Sequence, residues 1–148
     1  MSPALRQYLI NELGRGISSI GRDFEPFGTR FVDAAVDSPM QHRGLNIEGQ
    51  PVGHTVDSIS DDGRTAAEYT ADNDYFKAPF SKLCSDFKHV RTLHSQAKRI
   101  LLVSSREAGP KAMTRLTNFC SHIKKRLEID VEIYDARRIA EYIVDSLL

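Results

Sequence analysis

The sequence predicts a single α/β domain with a mixed central sheet flanked by helices. Its 148 residues, of which 41% are hydrophobic, suit one domain with a substantial core. Two strand-like segments lie on either side of the turn sequence Asp61-Asp62-Gly63-Arg64, which predicts an antiparallel hairpin. After this hairpin, helical and strand patterns alternate to the end of the chain, which favours parallel strands covered by helices.

Apolar residues at helical spacing predict five helices, at 3–13, 22–36, 80–96, 110–127 and 136–148. We expect the first helix to stop at Gly14 and Gly16, because glycine commonly ends helices. Pro26 is compatible with the second helix because it falls in the first turn.

Alternating or continuous apolar patterns predict four strands, at 54–60, 65–70, 99–105 and 131–134. The third of these holds a continuous apolar run, as expected for a strand buried on both faces. A further short strand is predicted within RGLNIEG, residues 43–49.

The net charge of zero is a sum of two opposite halves. Residues 1–76 contain six Arg, no Lys and twelve acidic residues, a net charge of −6, whereas residues 77–148 contain fourteen basic and eight acidic residues, a net charge of +6. The pairs Lys88/Arg91 and Lys111/Arg115 each share a helical face, so such faces could contact phosphates. The alternative is that they are ordinary solvated helix surfaces. The basic residues of interest are Lys88, Arg91, Lys98, Arg99, Lys111, Arg115, Lys124, Lys125 and Arg126.

Several function classes are excluded by missing patterns. The chain has no apolar run long enough for a membrane helix and no secretory signal, so we expect a cytoplasmic protein without membrane contact. Its two cysteines, Cys84 and Cys120, are too few for a four-cysteine zinc site, and we expect them to be reduced and mostly buried. The sequence lacks the GxSxG, HExxH and GxxxxGK[ST] motifs of hydrolases, metalloproteases and P-loop proteins.

Two carboxylates are the strongest functional signal. Asp57 is predicted on the first strand of the hairpin and Glu68 on the second, so the two can converge at one end of the sheet. Hard cations such as Mg²⁺ or Mn²⁺ prefer oxygen ligands, and Glu25 on the preceding helix is a candidate third ligand. The alternative is that Asp57 and Glu68 are a strand-end and a solvent-facing acid with no shared role.

The segment HTVDSISDDGRTAAEYT resembles the core of the PD-(D/E)XK nuclease superfamily, in which an aspartate precedes Glu-x-Lys on the next strand. Asp57 matches the family aspartate and Glu68 the family glutamate. Asp23-Phe24-Glu25 is similar to the helix-borne Phe-Glu of Mrr-like restriction endonuclease domains, and ILLVSS and VEIYDARRIAEYIVDSLL are similar to their last strands and helix. The resemblance covers roughly residues 22–148 and implies a restriction endonuclease-like fold.

One position departs from the family pattern. The family lysine should stand two residues after Glu68, where this sequence has Thr70. Threonine cannot carry the positive charge that orients the attacking water or stabilises the transition state. Lys77 or Lys82 could reach in from the next segment, since relocation of this lysine between elements is known in the superfamily. Without such replacement the domain binds DNA without cutting.

The resemblance implies a metal-dependent DNA endonuclease that uses Mg²⁺ or Mn²⁺, with a role in defence against foreign DNA. It also implies that residues 1–148 form one domain at the N-terminus of a larger oligomeric protein. Two alternatives stay open. One is a catalytically inactive nucleic-acid-binding or oligomerisation module on the same fold. The other is a small α/β ligand-sensing or interaction domain with no nucleic-acid role.

Overall fold

The structure, a computed structural model, describes residues 1–42 and 56–147. In these ranges the chain forms five helices and five strands, in the order α1 (Pro3–Ser18), α2 (Phe24–Ala35), β1 (Met40–His42), β2 (Ser58–Ser60), β3 (Thr65–Thr70), α3 (Ser81–Leu93), β4 (Arg99–Ser104), α4 (Pro110–Leu127), β5 (Asp130–Tyr134) and α5 (Ala136–Ser146).

The five strands form one mixed sheet in the spatial order β1-β2-β3-β4-β5. The pairs β1–β2 and β2–β3 are antiparallel, whereas β3–β4 and β4–β5 are parallel. The hairpin and the alternating second half therefore meet at β3, as the patterning predicts. The α/β class and the mixed sheet are confirmed.

Helices cover both faces of the sheet because the strand residues alternate in direction. Ala67 and Tyr69 of β3 pack into a core with residues of α1, α2 and α5. Ala66 of the same strand packs into a second core with residues of α3 and α4. Since side chains alternate along a strand, Glu68 lies on the α3 side of the sheet.

The first helix is longer than predicted. It continues through Gly14 and Gly16 to Ser18, so the expected stop at the glycines is wrong. Gly14 lies against α5, where a Cβ would be 3.9 Å from the carbonyl oxygen of Ala136 and from Cβ of Ala140. The additional turn buries Ile17 in the core, and that packing outweighs the weak helix propensity of glycine.

The other differences are local. The short strand β1 is not among the predicted strands, and the strand predicted within 43–49 lies outside the described residues. Asp57 stands one residue before β2 and not within it, and residues 54–55 of that predicted strand are not described. Cys84 and Cys120 are free and half-buried. None of the helices in the described ranges is both long and apolar enough to cross a membrane.

Gly28 allows α2 to lie close to the sheet. A Cβ atom at this position would be only 2.6 Å from Cδ1 of Tyr69, so a larger residue would force the ring away. This close approach matters for the site, since α2 carries Glu25 and β3 carries Glu68. The helix and the strand are thereby held at the spacing that brings the acidic side chains together.

Candidate metal-binding and catalytic site

The hairpin register places Asp57 and Glu68 opposite each other. Ser58 of β2 pairs with Ala67 of β3. In an antiparallel pair the residue before Ser58, Asp57, therefore faces the residue after Ala67, Glu68. The backbone N–H of Tyr69 donates a hydrogen bond of 2.8 Å to Asp57 Oδ2, which fixes the aspartate side chain against β3. The carboxyl group of Asp57 also shares a hydrogen bond with that of Glu68.

Glu25 joins the same group from α2. It occupies the first turn of that helix, and its carboxyl group shares a hydrogen bond with Asp57. Burial, followed by the charge and the hydrogen bond of Asp57, raises the pKa of Glu25 to about 7. The three carboxylates predicted as metal ligands are therefore brought together, with Asp57 in the middle.

Glu68 is the most deeply buried of the three, with 5% of its surface exposed. Burial, the hydrogen bond and charge of Asp57, and the charge of Asp86 raise the pKa of Glu68 to about 10. Adjacent buried carboxyl groups cannot all ionise, so protons are retained between them. A bound cation relieves the same repulsion, because it favours the charged form of each carboxylate.

The donor set fits a hard divalent cation. Within the described residues, no group of three or more His, Cys, Asp or Glu side chains is placed so that it could hold a metal ion. Mg²⁺ rarely needs three such side chains, because it is usually held by one or two carboxylates together with waters and substrate phosphates. Asp57 and Glu68 are such a pair, and Glu25 contacts the pair through Asp57.

The two candidate lysines have different environments. Lys82 Nζ donates a hydrogen bond of 2.7 Å to Asp86 Oδ1. Although burial lowers the pKa of Lys82, the hydrogen bond to Asp86 and the charges of Asp86, Glu68 and Asp57 raise it overall. Lys77, with a side chain that is 73% exposed, pairs instead with Asp74 at 3.1 Å. Lys82 is thus the lysine that lies within the electrostatic field of the carboxylates.

Asp86 and His89 are site residues that the sequence reasoning missed. Asp86, 5% exposed, accepts hydrogen bonds from Lys82 and, at 3.1 Å, from the hydroxyl of Tyr75. His89 Nδ1 lies 2.7 Å from Glu68 Oε1. Residues 82, 86 and 89 follow one another at i, i+4 and i+7, which places them on one face of α3. That spacing was the signal available in the sequence.

Thr70, which occupies the family lysine position, has a different role. Its Oγ1 accepts a hydrogen bond of 3.1 Å from the backbone N–H of Asp72, so it stabilises the turn that follows β3. Beyond that turn, a cleft of about 440 Å³ opens between residues 72–79 and the start of α3, and Lys77 and Lys82 both line it. None of the three carboxylates lines this cleft or a larger one of about 710 Å³ between the end of α4 and β5.

A series of hydrogen-bonded polar side chains supports the site from the other side of the sheet. Asp33 contacts His42 Nε2 at 2.9 Å, His42 Nδ1 contacts Ser58 Oγ at 2.6 Å, and Ser58 Oγ contacts the Tyr69 hydroxyl at 2.7 Å. The residue types match a hydrolase triad, but Ser58 is fully buried and its hydroxyl is bonded to Tyr69. These hydrogen bonds therefore link α2 and β1 to β2, which follows Asp57, and to β3, which carries Glu68.

The raised pKa values of Glu25 and Glu68 predict that the fold loses stability as pH rises from about 4.3 into the alkaline range. When the pKa of a carboxyl group is higher in the folded state than its unfolded value of about 4.3, the group's contribution to stability is fully present below about pH 4.3. Stability is then lost as pH rises, through about 7 for Glu25 and toward about 10 for Glu68. The loss is up to about 1.4 kcal/mol per pH unit for each proton that only the folded state retains.

Glu68→Gln removes the group that must ionise, so its free energy of unfolding should fall less between neutral and alkaline pH than that of the wild type. Urea denaturation across this range measures the slope. Glu12→Gln, an exposed change on α1, is the matched control and should follow the wild type. Equal slopes for Glu68→Gln and the wild type would show that Glu68 does not hold a proton in the folded state.

Comparisons of this chain with protein-family models, with curated proteins and with solved structures find no match.

Proposed function

We propose that this chain is a metal-dependent DNA endonuclease domain of the PD-(D/E)XK type, similar to Mrr-like restriction domains and used in defence against foreign DNA. The observation that carries the proposal is the meeting of Glu25, Asp57 and Glu68 through shared hydrogen bonds at the end of the hairpin. These are the residues that match the motifs of the superfamily. The order of elements supports the same assignment, because a helix, a hairpin and then alternating helices and strands follow one another along the chain.

In this proposal Asp57 and Glu68 hold Mg²⁺ or Mn²⁺, and Glu25 assists them. The metal supplies an activated water and offsets the charge that develops on the phosphate. His89 orients the Glu68 carboxylate through its contact with Oε1. The backbone N–H of Tyr69 holds Asp57 in place. Each carboxylate thus has a protein group that fixes its direction before substrate binds.

Lys82 takes the part of the family lysine in this account. Its ammonium group is charged and lies at the edge of the cleft between residues 72–79 and α3. From there it is suited to orient a water or to stabilise a non-bridging phosphate oxygen. Asp86, itself bonded to Tyr75, positions the ammonium group on the side of α3 that faces Glu68.

One observation favours the inactive binding or oligomerisation module instead. The Lys82 ammonium is engaged by Asp86 at 2.7 Å, and Thr70 carries no charge at the family lysine position. If Asp86 keeps the ammonium away from the phosphate, the domain retains a metal site but lacks a group to activate water.

The test is cleavage of supercoiled plasmid by the intact chain. We expect nicked or linear DNA to accumulate with Mg²⁺ or Mn²⁺ and plasmid to stay intact in EDTA. Plasmid that stays supercoiled with every metal, while the chain binds DNA, would replace the nuclease by the inactive binding module.

A further inference from the structure

We infer that the outer surface of α3 and α4 is a docking surface for the backbone phosphates of duplex DNA, an inference that rests on the proposed function and names where its substrate lies. We call this surface the basic strip. It consists of five exposed cations, Lys88 on α3 and Lys111, Arg115, Lys125 and Arg126 on α4.

The four α4 members of the strip share one side of their helix. At 3.6 residues per turn, they fall within an arc of about 100°. Phe119, which contacts Phe87 of α3 with ring centroids 5.7 Å apart, borders this arc. The strip is therefore on the flank of α4 that is turned toward α3, and Lys88 follows Phe87 on the facing helix. Both helices cover the face of the sheet on which Glu68 lies.

The charge of this surface is not neutralised within the domain. The 18 residues of α4 include five Lys or Arg and no Asp or Glu. Other basic residues of the second half have carboxylate partners, Arg99 with Glu132 and Lys124 with Asp130. In the described parts of the chain, no strip residue forms an ion pair. A solvated helix face usually mixes signs at i, i+4, as Arg137 and Glu141 do on α5.

The strip matches a duplex in length and in its surroundings. From Lys111 to Arg126 the helix rises about 22 Å, and duplex DNA carries one phosphate charge per about 1.7 Å, so several phosphates can be met at once. Single-strand sites stack bases on exposed aromatic rings, but the aromatic residue of α4, Phe119, packs against Phe87. A helix that lies on a membrane inserts an apolar face that is exposed in the free protein. The large apolar residue exposed on α4 is Leu127, at its C-terminal end, and this does not amount to such a face.

The strip also reaches the end of the domain where the carboxylates lie. Thr70 at the end of β3 pairs with Ser104 at the end of β4, and α4 begins shortly after that point. Lys111 and Arg115 are in the first two turns of α4, at the same end of the sheet as Glu68. A duplex lying along the strip would therefore extend toward Lys82 and its cleft.

The test measures binding of a short fluorescein-labelled DNA duplex by fluorescence anisotropy in EDTA at several KCl concentrations. All proteins carry Asp57→Asn, so that no cleavage interferes. Replacing Lys111 and Arg115 together with Gln should weaken binding and reduce the slope of log Kd against log [KCl] by about 2, roughly 1 for each phosphate contact. Glutamine is a good helix former, so the helix is expected to persist.

The matched control replaces Arg15 and Arg137 with Gln, the same loss of charge on the helices that cover the other face of the sheet. Its slope should equal that of the parent. Equal reductions in both double variants, an unchanged slope in the strip variant, or binding of phosphatidylserine vesicles in place of the duplex would overturn the inference. Cleavage is scored separately, with Asp57 restored. If the strip variant shows the reduced slope but the chain does not cut DNA, only the proposed nuclease activity is rejected. If the chain cuts DNA but the slope of the strip variant is unchanged, only the proposed docking surface is rejected.

Discussion

Replacing Asp57 with asparagine is expected to slow metal-dependent plasmid cleavage by at least about 10²–10³-fold, the loss seen when one electrostatic contact to the reacting group is removed. Asp57 is the residue that contacts both other carboxyl groups, so its charge supports the whole cluster. Asparagine retains an oxygen that can accept the Tyr69 N–H bond, which preserves the local backbone. The change therefore removes charge with little effect on shape.

The matched control is Asp145→Asn, the same chemical change at an exposed residue that pairs with Arg6. Exposed ion pairs contribute at most about 1 kcal/mol, so this variant should remain folded and cut at the wild-type rate. Initial rates of plasmid nicking at saturating Mg²⁺ give the comparison. Cleavage by Asp57→Asn at the wild-type rate would remove Asp57 from the active site.

Replacing Lys82 with methionine should also reduce cleavage by about 10²–10³-fold, whereas Lys77→Met should stay within about twofold of the wild type. The two lysines are five residues apart and undergo the same chemical change. Lys82 feels the charges of Glu68 and Asp57, while Lys77 is solvent-exposed and paired with Asp74. Cleavage rates of the two variants, measured with Mg²⁺, show which lysine acts with the carboxylates.

Loss of Lys82 leaves Asp86 buried without its cation, which could destabilise the fold and obscure the result. The double variant Lys82→Met/Asp86→Asn removes the uncompensated charge and should be folded yet inactive. Full activity in this double variant, or an equal loss in Lys77→Met, would contradict the assignment of Lys82.

The positions of Asp57 and Glu68 were predictable because local rules set them. The Asp-Gly turn fixes the hairpin register, which places Asp57 opposite Glu68. A hairpin is a short-range feature, so the sequence predicts that Asp57 and Glu68 meet. Glu25 is a candidate from its place on the preceding helix, but it reaches Asp57 through the packing of α2 on β3, where Gly28 lies against Tyr69.

The cation and its partners were harder to predict because tertiary packing decides them. Lys77 and Lys82 lie on either side of a turn whose path is not specified by apolar periodicity, so neither could be preferred. Asp86 and His89, considered singly, read as ordinary helix positions until the placement of α3 beside β3 gives them partners. Packing against α5 likewise carries α1 past Gly14.

The central claim, that these carboxylates form a metal site, is tested most directly by titrating the intact chain with Mn²⁺ and measuring free Mn²⁺ by electron paramagnetic resonance. We expect Mn²⁺ to bind the wild type and Asp145→Asn equally and to be displaced by Mg²⁺. Binding should be lost in Asp57→Asn and in Glu68→Gln, because each change removes a ligand charge. Mn²⁺ binding that is absent from the wild type, or unchanged in both site variants, would contradict the account.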